Sequence, residues 1–251
     1  METHLRKLYL DLMVNCLTNT IYEDPANDPW CKTYIPDNRR CGTDWPSRAH
    51  TMIGTQRLKN IQELAEIVIK NKIPGDFIET GVWRGGATIF MRAILKAYNI
   101  KDKNVWVADS FEGLPSPNPA LYSADKEDLH YTHPELSVSL EQVQENFKKY
   151  DLLDDQVKFL KGWFKDTLPT APIEQLSLLR LDGDMYESTI DSLNALYPKL
   201  SQGGYVIFDD ANSVPACLQA LTDYRQQHNI TSTMYYTDNL GIGVYWCKSS
   251  L

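Results

Sequence analysis

From Pro74 onward the sequence alternates between two periods, and this restricts the fold more than any other feature. DFIETGV (76–82), NVWVADS (104–110), QVKFLKGWF (156–164), LSLLRLDGD (176–184) and GGYVIFDDAN (203–212) are short apolar runs that read as strands. Helical spacing falls between them, at 86–98, 139–150, 187–198 and 214–229. Crossovers long enough to hold a helix join parallel strands, so a mostly parallel sheet with helices on both faces is expected. The last two runs, 231–238 and 241–248, are expected to close as a hairpin with a tight turn, adding one antiparallel strand.

Upstream, the spacing predicts an amphipathic helix within 3–21, with Leu5, Leu8 and Leu12 as its apolar stripe. A second helix is expected at 54–70, packed through Leu58, Ile61, Leu64 and Val68. Residues 22–48, rich in Pro, Asp, Asn and Arg, read as a long mobile or lid loop, with Arg39, Arg40 and Arg48 as surface charges. A second long loop is expected at 112–136.

A net charge of -8 argues against a nucleic-acid partner, which would need a basic surface. No apolar run is long enough for a membrane span, and the N-terminus lacks a signal-peptide cleavage site. The five cysteines form no CxxC pair and are odd in number, which points to a reduced, cytoplasmic protein. A zinc set of Cys31, Cys41 and His50 is the weaker alternative.

Ligands of such sheets bind where the strands end in their carboxyl direction. Two groups of residues fall there. The first is Glu79-Thr80-Gly81-Val82-Trp83-Arg84-Gly85-Gly86. Gly81 permits a tight turn and a close backbone approach, and Gly85 and Gly86 open a helix whose free N–H groups favour an anion. Asp109, at the end of the next strand and followed by Ser110, is placed to accept both hydroxyls of a ribose. Trp83 stands where a dinucleotide fingerprint has its middle glycine, which leaves little room for a pyrophosphate. A ligand ending in an amino acid fits better, with Glu79 facing an ammonium and the helix start facing a carboxylate. S-adenosylmethionine carries both groups and a ribose. The alternative is a strand-turn-helix corner whose glycines serve packing alone.

The second group is Asp182-Gly183-Asp184 with Asp209-Asp210. Carboxylates crowded at one sheet edge repel without a cation, and hard oxygen ligands suit Mg2+ or Ca2+, of which Mg2+ usually retains waters for its substrate. Asp184 precedes a helix and is also a candidate cap. We read Asp182, Asp209 and Asp210 as metal ligands and Asp184 as the general base, roles that the sequence leaves interchangeable.

Taken with HTMIGTQRLKN (50–60), VWVADSFEGLP (105–115) and LRLDGDMYEST (179–189), these stretches resemble the macrocin O-methyltransferase (TylF-type) family. The resemblance implies a class I, Rossmann-like methyltransferase fold over 74–251, with an N-terminal helical extension and lid loop over 1–73. It also implies S-adenosylmethionine, Mg2+ and methylation of a hydroxyl on a small sugar, glycoside or related metabolite, with a polyketide or peptide hydroxyl methylated by the same mechanism as the alternative. It assigns cofactor contacts to Thr51, Met52, Glu79, Gly81, Asp109 and Ser110, the metal to Asp182, Asp209 and Asp210, and the base to Asp184. A homodimer or larger homo-oligomer is implied as well.

Thr80 belongs with the cofactor corner, and Trp163 and Phe164 are candidates to pack beside the adenine. Ser139 reads first as a helix cap and second as an adenine contact. His130 and His133 are candidate acceptor contacts or a second base, against a plain solvated loop. Three other classes compete, and the missing middle glycine at Trp83 counts against one of them, an NAD-dependent dehydrogenase. Asp182-Gly183-Asp184 has the D-x-D form of metal-dependent glycosyltransferases, and a nucleoside site alone would serve a catalytically inactive cofactor-binding module.

Overall fold

The computed structural model describes residues 2–249. Seven strands form one sheet: β1 (Asp76–Thr80), β2 (Val105–Asp109), β3 (Val157–Lys161), β4 (Leu176–Leu181), β5 (Leu200–Phe208), β6 (Tyr235–Tyr236) and β7 (Val244–Cys247). Their order is β3-β2-β1-β4-β5-β7-β6. β3 to β5 across this order pair in parallel, and β7 is the one reversed strand, antiparallel to both β5 and β6. The order turns back between β1 and β4, so the carboxyl ends of these two strands open on the switch-point crevice.

Alternation along each strand sends neighbours to opposite faces. Phe77, Val105, Val107 and Leu178 pack under α1 (Glu2–Leu17), α3 (Gly54–Lys70), α4 (Gly86–Ala97) and α5 (Leu140–Lys149). Ile78, Trp106, Leu179 and Phe208 pack with α7 (Tyr186–Leu196), α8 (Pro215–Gln227) and Trp246. Two shorter helices, α2 (Pro36–Cys41) and α6 (Phe164–Thr167), complete the set.

Four expectations need correction. On α1 the packed face is Leu10, Met13, Val14 and Leu17, whereas Leu5, Leu8 and Leu12 stay half exposed or more. The helix carries apolar residues on two opposite sides, and only one meets α3 and α4. Arg39 is not a surface charge: it is 1% exposed and bonds Asp24, Asp44 and the Thr18 carbonyl. Helix α2 and a bridge between Ala26 and Pro46 give regular structure to part of the segment read as one long loop. The terminal strands are shorter than their apolar runs, and a loop replaces the tight turn because the Asp238 carboxylate gathers the Leu240 and Ile242 N–H groups.

Candidate active site

The parallel strands bring their acids to one rim. Glu79 stands on β1 beside Arg180 of β4, its register partner, and Asp182 and Asp209 follow directly on β4 and β5. Gly81 makes this convergence possible. Its φ is 85°, and a Cβ there would lie 1.8 Å from the Asp182 carbonyl oxygen. The close approach inferred at Gly81 is thus to the neighbouring strand end, which sets the cofactor corner against the acidic rim. Gly86 meets the chain in the same way, since a Cβ would lie 2.6 Å from Thr51 Cβ.

A cavity of about 760 Å³ opens over this rim. It is lined by Thr51, Met52, Glu79, Gly81, Asp109, Ser110, Trp163, Asp182, Asp184, Asp209 and Asp210, all singled out from the sequence. Thr80, Gly85, Gly86 and Ser139 are not among its lining residues. The Ser139 hydroxyl caps α5, accepting the Gln142 N–H at 3.2 Å. Asp109 accepts the N–H groups of Val82 and Phe111, each at 2.7 Å, which fixes the corner between β1 and α4.

Asp182, Asp209 and Asp210 each bring a carboxylate oxygen within 4.8 Å of the others. This is the single metal-competent group among the described residues, and Cys31, Cys41 and His50 do not form one. The sequence reading missed two cations here. Arg180, 1% exposed, bonds Glu79 and Asp209 and reaches Asp182 Oδ2 at 2.7 Å. Arg57 bonds the other oxygen of Asp209 and donates to the Gly42 carbonyl at 2.7 Å. The available signal was a lone arginine inside LSLLRLD, because a charge within a doubly buried strand requires partners.

Two guanidiniums do not balance five carboxylates. Burial pushes Glu79 up to about 8, against the pull of Arg180. Asp184 rises to about 7 through burial, with His130 opposing and Asp182 adding to the shift. Asp210 is raised further by burial and by Asp184, Asp182 and Asp209. Glu79 Oε2 and Asp210 Oδ2 are buried without a hydrogen-bond partner. Of the two loop histidines, His130 reaches the cavity, its Nδ1 held by Asp128 Oδ2 at 2.7 Å. His133 packs its ring against Trp45.

This strand order, with a cofactor corner at the switch point, defines a class I methyltransferase fold. The chain superimposes on the calicheamicin methyltransferase CalS11 with a TM-score of 0.66 at 18% identity, over 97% of this chain and 93% of that one, a likeness of fold alone. Residues 26–248 match the Macrocin-O-methyltransferase (TylF) family model, and the chain belongs to that family. It is 53% identical over 247 residues to demethyldecarbamoylnovobiocin O-methyltransferase of Streptomyces niveus, covering 96% of this chain and 94% of the relative. It is 48% identical over 250 residues to mycinamicin III 3''-O-methyltransferase of Micromonospora griseorubida, covering 97% of both chains. The solved structure of the O-methyltransferase NovP matches with a TM-score of 0.93 at 53% identity, over 98% of this chain and 100% of that one. The protein is therefore an O-methyltransferase, and its family implies S-adenosylmethionine as the methyl donor.

Proposed function

We propose that this enzyme methylates a hydroxyl on the sugar of a small glycosylated natural product, with Mg2+ held by Asp182, Asp209 and Asp210. The observation that carries this reading is the meeting of those three carboxylates beside Glu79 and Asp109 in one cavity. The donor set fits a hard divalent cation: all ligands are carboxylate oxygens, and Asp210 Oδ2 is buried and unpaired. When bound, such a cation makes a coordinated hydroxyl more acidic. The relatives' names support the acceptor class, since one that is 51% identical is named as the 4'-O-methyltransferase of a rhamnosyl-tetracenomycin, beside those named for demethyldecarbamoylnovobiocin and mycinamicin III.

The chain's own residues then divide the work. Glu79 Oε2 is free to face the cofactor's ammonium, and Asp109 faces its ribose. Thr51, Met52, Gly81, Ser110 and Trp163 line the space between. Asp184 accepts the proton of the acceptor hydroxyl. The methyl carbon leaves the sulfonium and joins that oxygen in one displacement. The S–C electron pair stays on sulfur and the proton on Asp184, so positioning and electrostatics supply most of the rate.

One observation favours a second reading. Arg57 and Arg180 already bind both oxygens of Asp209, so transfer driven by Asp184 without a metal is the competitor. A mass-spectrometric screen of glycosides with labelled S-adenosylmethionine tests both. Labelled product that disappears with EDTA and returns with Mg2+ supports the first, and product indifferent to EDTA supports the second. No product from any glycoside would refute the acceptor class.

A second copy of this chain is the proposed cover for Leu5, Leu8 and Leu12, to be tested by sedimentation of the L5E/L8E/L12E variant. A reducing, cytoplasmic setting is proposed from five cysteines that are all free thiols, and no helix among the described residues is long and apolar enough to cross a membrane.

A further inference from the structure

The cavity has a side that the transfer chemistry does not use. Trp30 lines it and yet is 65% exposed, the ring open to solvent. Its neighbour Trp45 also lines the cavity, and the two rings meet edge to face with centroids 5.1 Å apart and planes at 65°. Trp45 in turn meets the His133 ring at 5.3 Å and 77°. His133 lies on the loop that carries His130, which lines the cavity together with Asp184. Trp30 and Trp45 thus form an aromatic side of the same cavity that holds Asp184, with Trp30 at its solvent-open edge.

The tryptophans are held in place by design of the local backbone. Asp28 is 0% exposed, and its carboxylate takes up the backbone of both. Oδ1 accepts the N–H groups of Trp30 at 3.2 Å and Cys31 at 2.6 Å, and Oδ2 accepts that of Trp45 at 3.2 Å. The segment is fixed to the acidic rim through Arg57, which bridges Asp209 and the Gly42 carbonyl. A large apolar ring carried on a fixed backbone but left open is unfavourable in water, and it offers a ligand a broad contact area. Leu114, Pro115 and Leu136 supply further apolar lining to the same cavity.

We propose that Trp30 is an acceptor subsite, stacking a flat, apolar aglycone while the sugar hydroxyl lies at Asp184. This rests on the glycoside reading above and adds to it the chemistry of the part that is not methylated. Asp28 acts on it as a positioning residue, through the backbone it holds.

The test compares two acceptors with the same sugar, an aryl glycoside and its methyl glycoside, in steady-state methyl transfer. Trp30→Ala is expected to raise KM for the aryl glycoside about tenfold, as loss of an aromatic anchor does. kcat, the KM for S-adenosylmethionine and the KM for the methyl glycoside are expected to stay within twofold. Trp30→Phe should recover most of the aryl KM, and an unchanged thermal midpoint in both variants shows an intact fold. An equal rise in KM for both acceptors would place Trp30 against the sugar and overturn the subsite, as would no change for either. Failure of the unsubstituted enzyme to methylate either acceptor would instead overturn the glycoside reading, and the subsite with it.

Discussion

Two buried arginines sit in this molecule at equal depth and to opposite purpose. Arg39 and Arg180 are each 1% exposed, and each binds more than one carboxylate. Around Arg39 the accounts close. Asp24 gives one oxygen to Arg39 and Asn19 and the other to Ser47 and the N–H groups of Arg48 and Ala49. Burial raises its proton affinity, but these donors win and leave Asp24 below the usual carboxylate range. Around Arg180 they do not close. Glu79 and Asp210 keep unpaired buried oxygens, and Glu79, Asp184, Asp209 and Asp210 are all shifted upward by burial. A satisfied cluster holds structure together, whereas an unsatisfied one awaits a ligand.

The contrast breaks first at Arg39. Arg39→Leu strands Asp24 and Asp44 without their cation, which costs about 3–5 kcal/mol for a buried pair cut on one side. Urea unfolding should register the loss, and a change under 1 kcal/mol would mean the cluster is not structural. The next effect belongs to the other cluster. Asp184→Asn should lower kcat about a thousandfold, the middle of the range for a lost general base, with affinity for S-adenosylhomocysteine within twofold. Loss of cofactor binding in calorimetry would count against its role as base.

Asp109→Ala should weaken S-adenosylhomocysteine binding by about 2 kcal/mol, the worth of charge-assisted hydrogen bonds to the ribose. Affinity equal to the parent's would remove the ribose assignment. The smallest effect is a proton. Glu79 is raised from 4.5 to about 8, so it holds a proton at neutral pH that an ammonium ligand must expel. Cofactor affinity should rise toward about pH 8 and fall above it as the ligand's own ammonium deprotonates, with proton release below that pH seen as buffer-dependent enthalpy. The sign for folding is opposite. The native state holds this proton where the unfolded state has lost it, so the Glu79 contribution to stability falls as pH rises from 4.5 through 8.

The parts legible in the sequence were those with period or position. Strand-helix alternation located the sheet, and the strand ends located Glu79, Asp109, Asp182 and Asp209, because a parallel sheet leaves its carboxyl ends on one edge. What escaped depends on long-range contact. Nothing local marks Arg39 as buried, since its partner Asp24 and the Thr18 carbonyl come from a distant turn. Arg57 meets Asp209 from a helix more than a hundred residues earlier in the chain. On α1 two apolar faces competed, and only the tertiary fold decides which is covered. His130 was weighed evenly with His133, and the loop geometry that turns one toward the cavity follows from the Asp128 hydrogen bond.

Calorimetric titration of Mg2+ into protein saturated with S-adenosylhomocysteine, beside the same titration of Asp210→Asn, addresses the unsatisfied cluster itself. One cation bound per parent chain, and none by a variant that still holds the cofactor product, is the expected result. A parent chain that takes up no cation, or a variant that binds it equally well, would contradict the account.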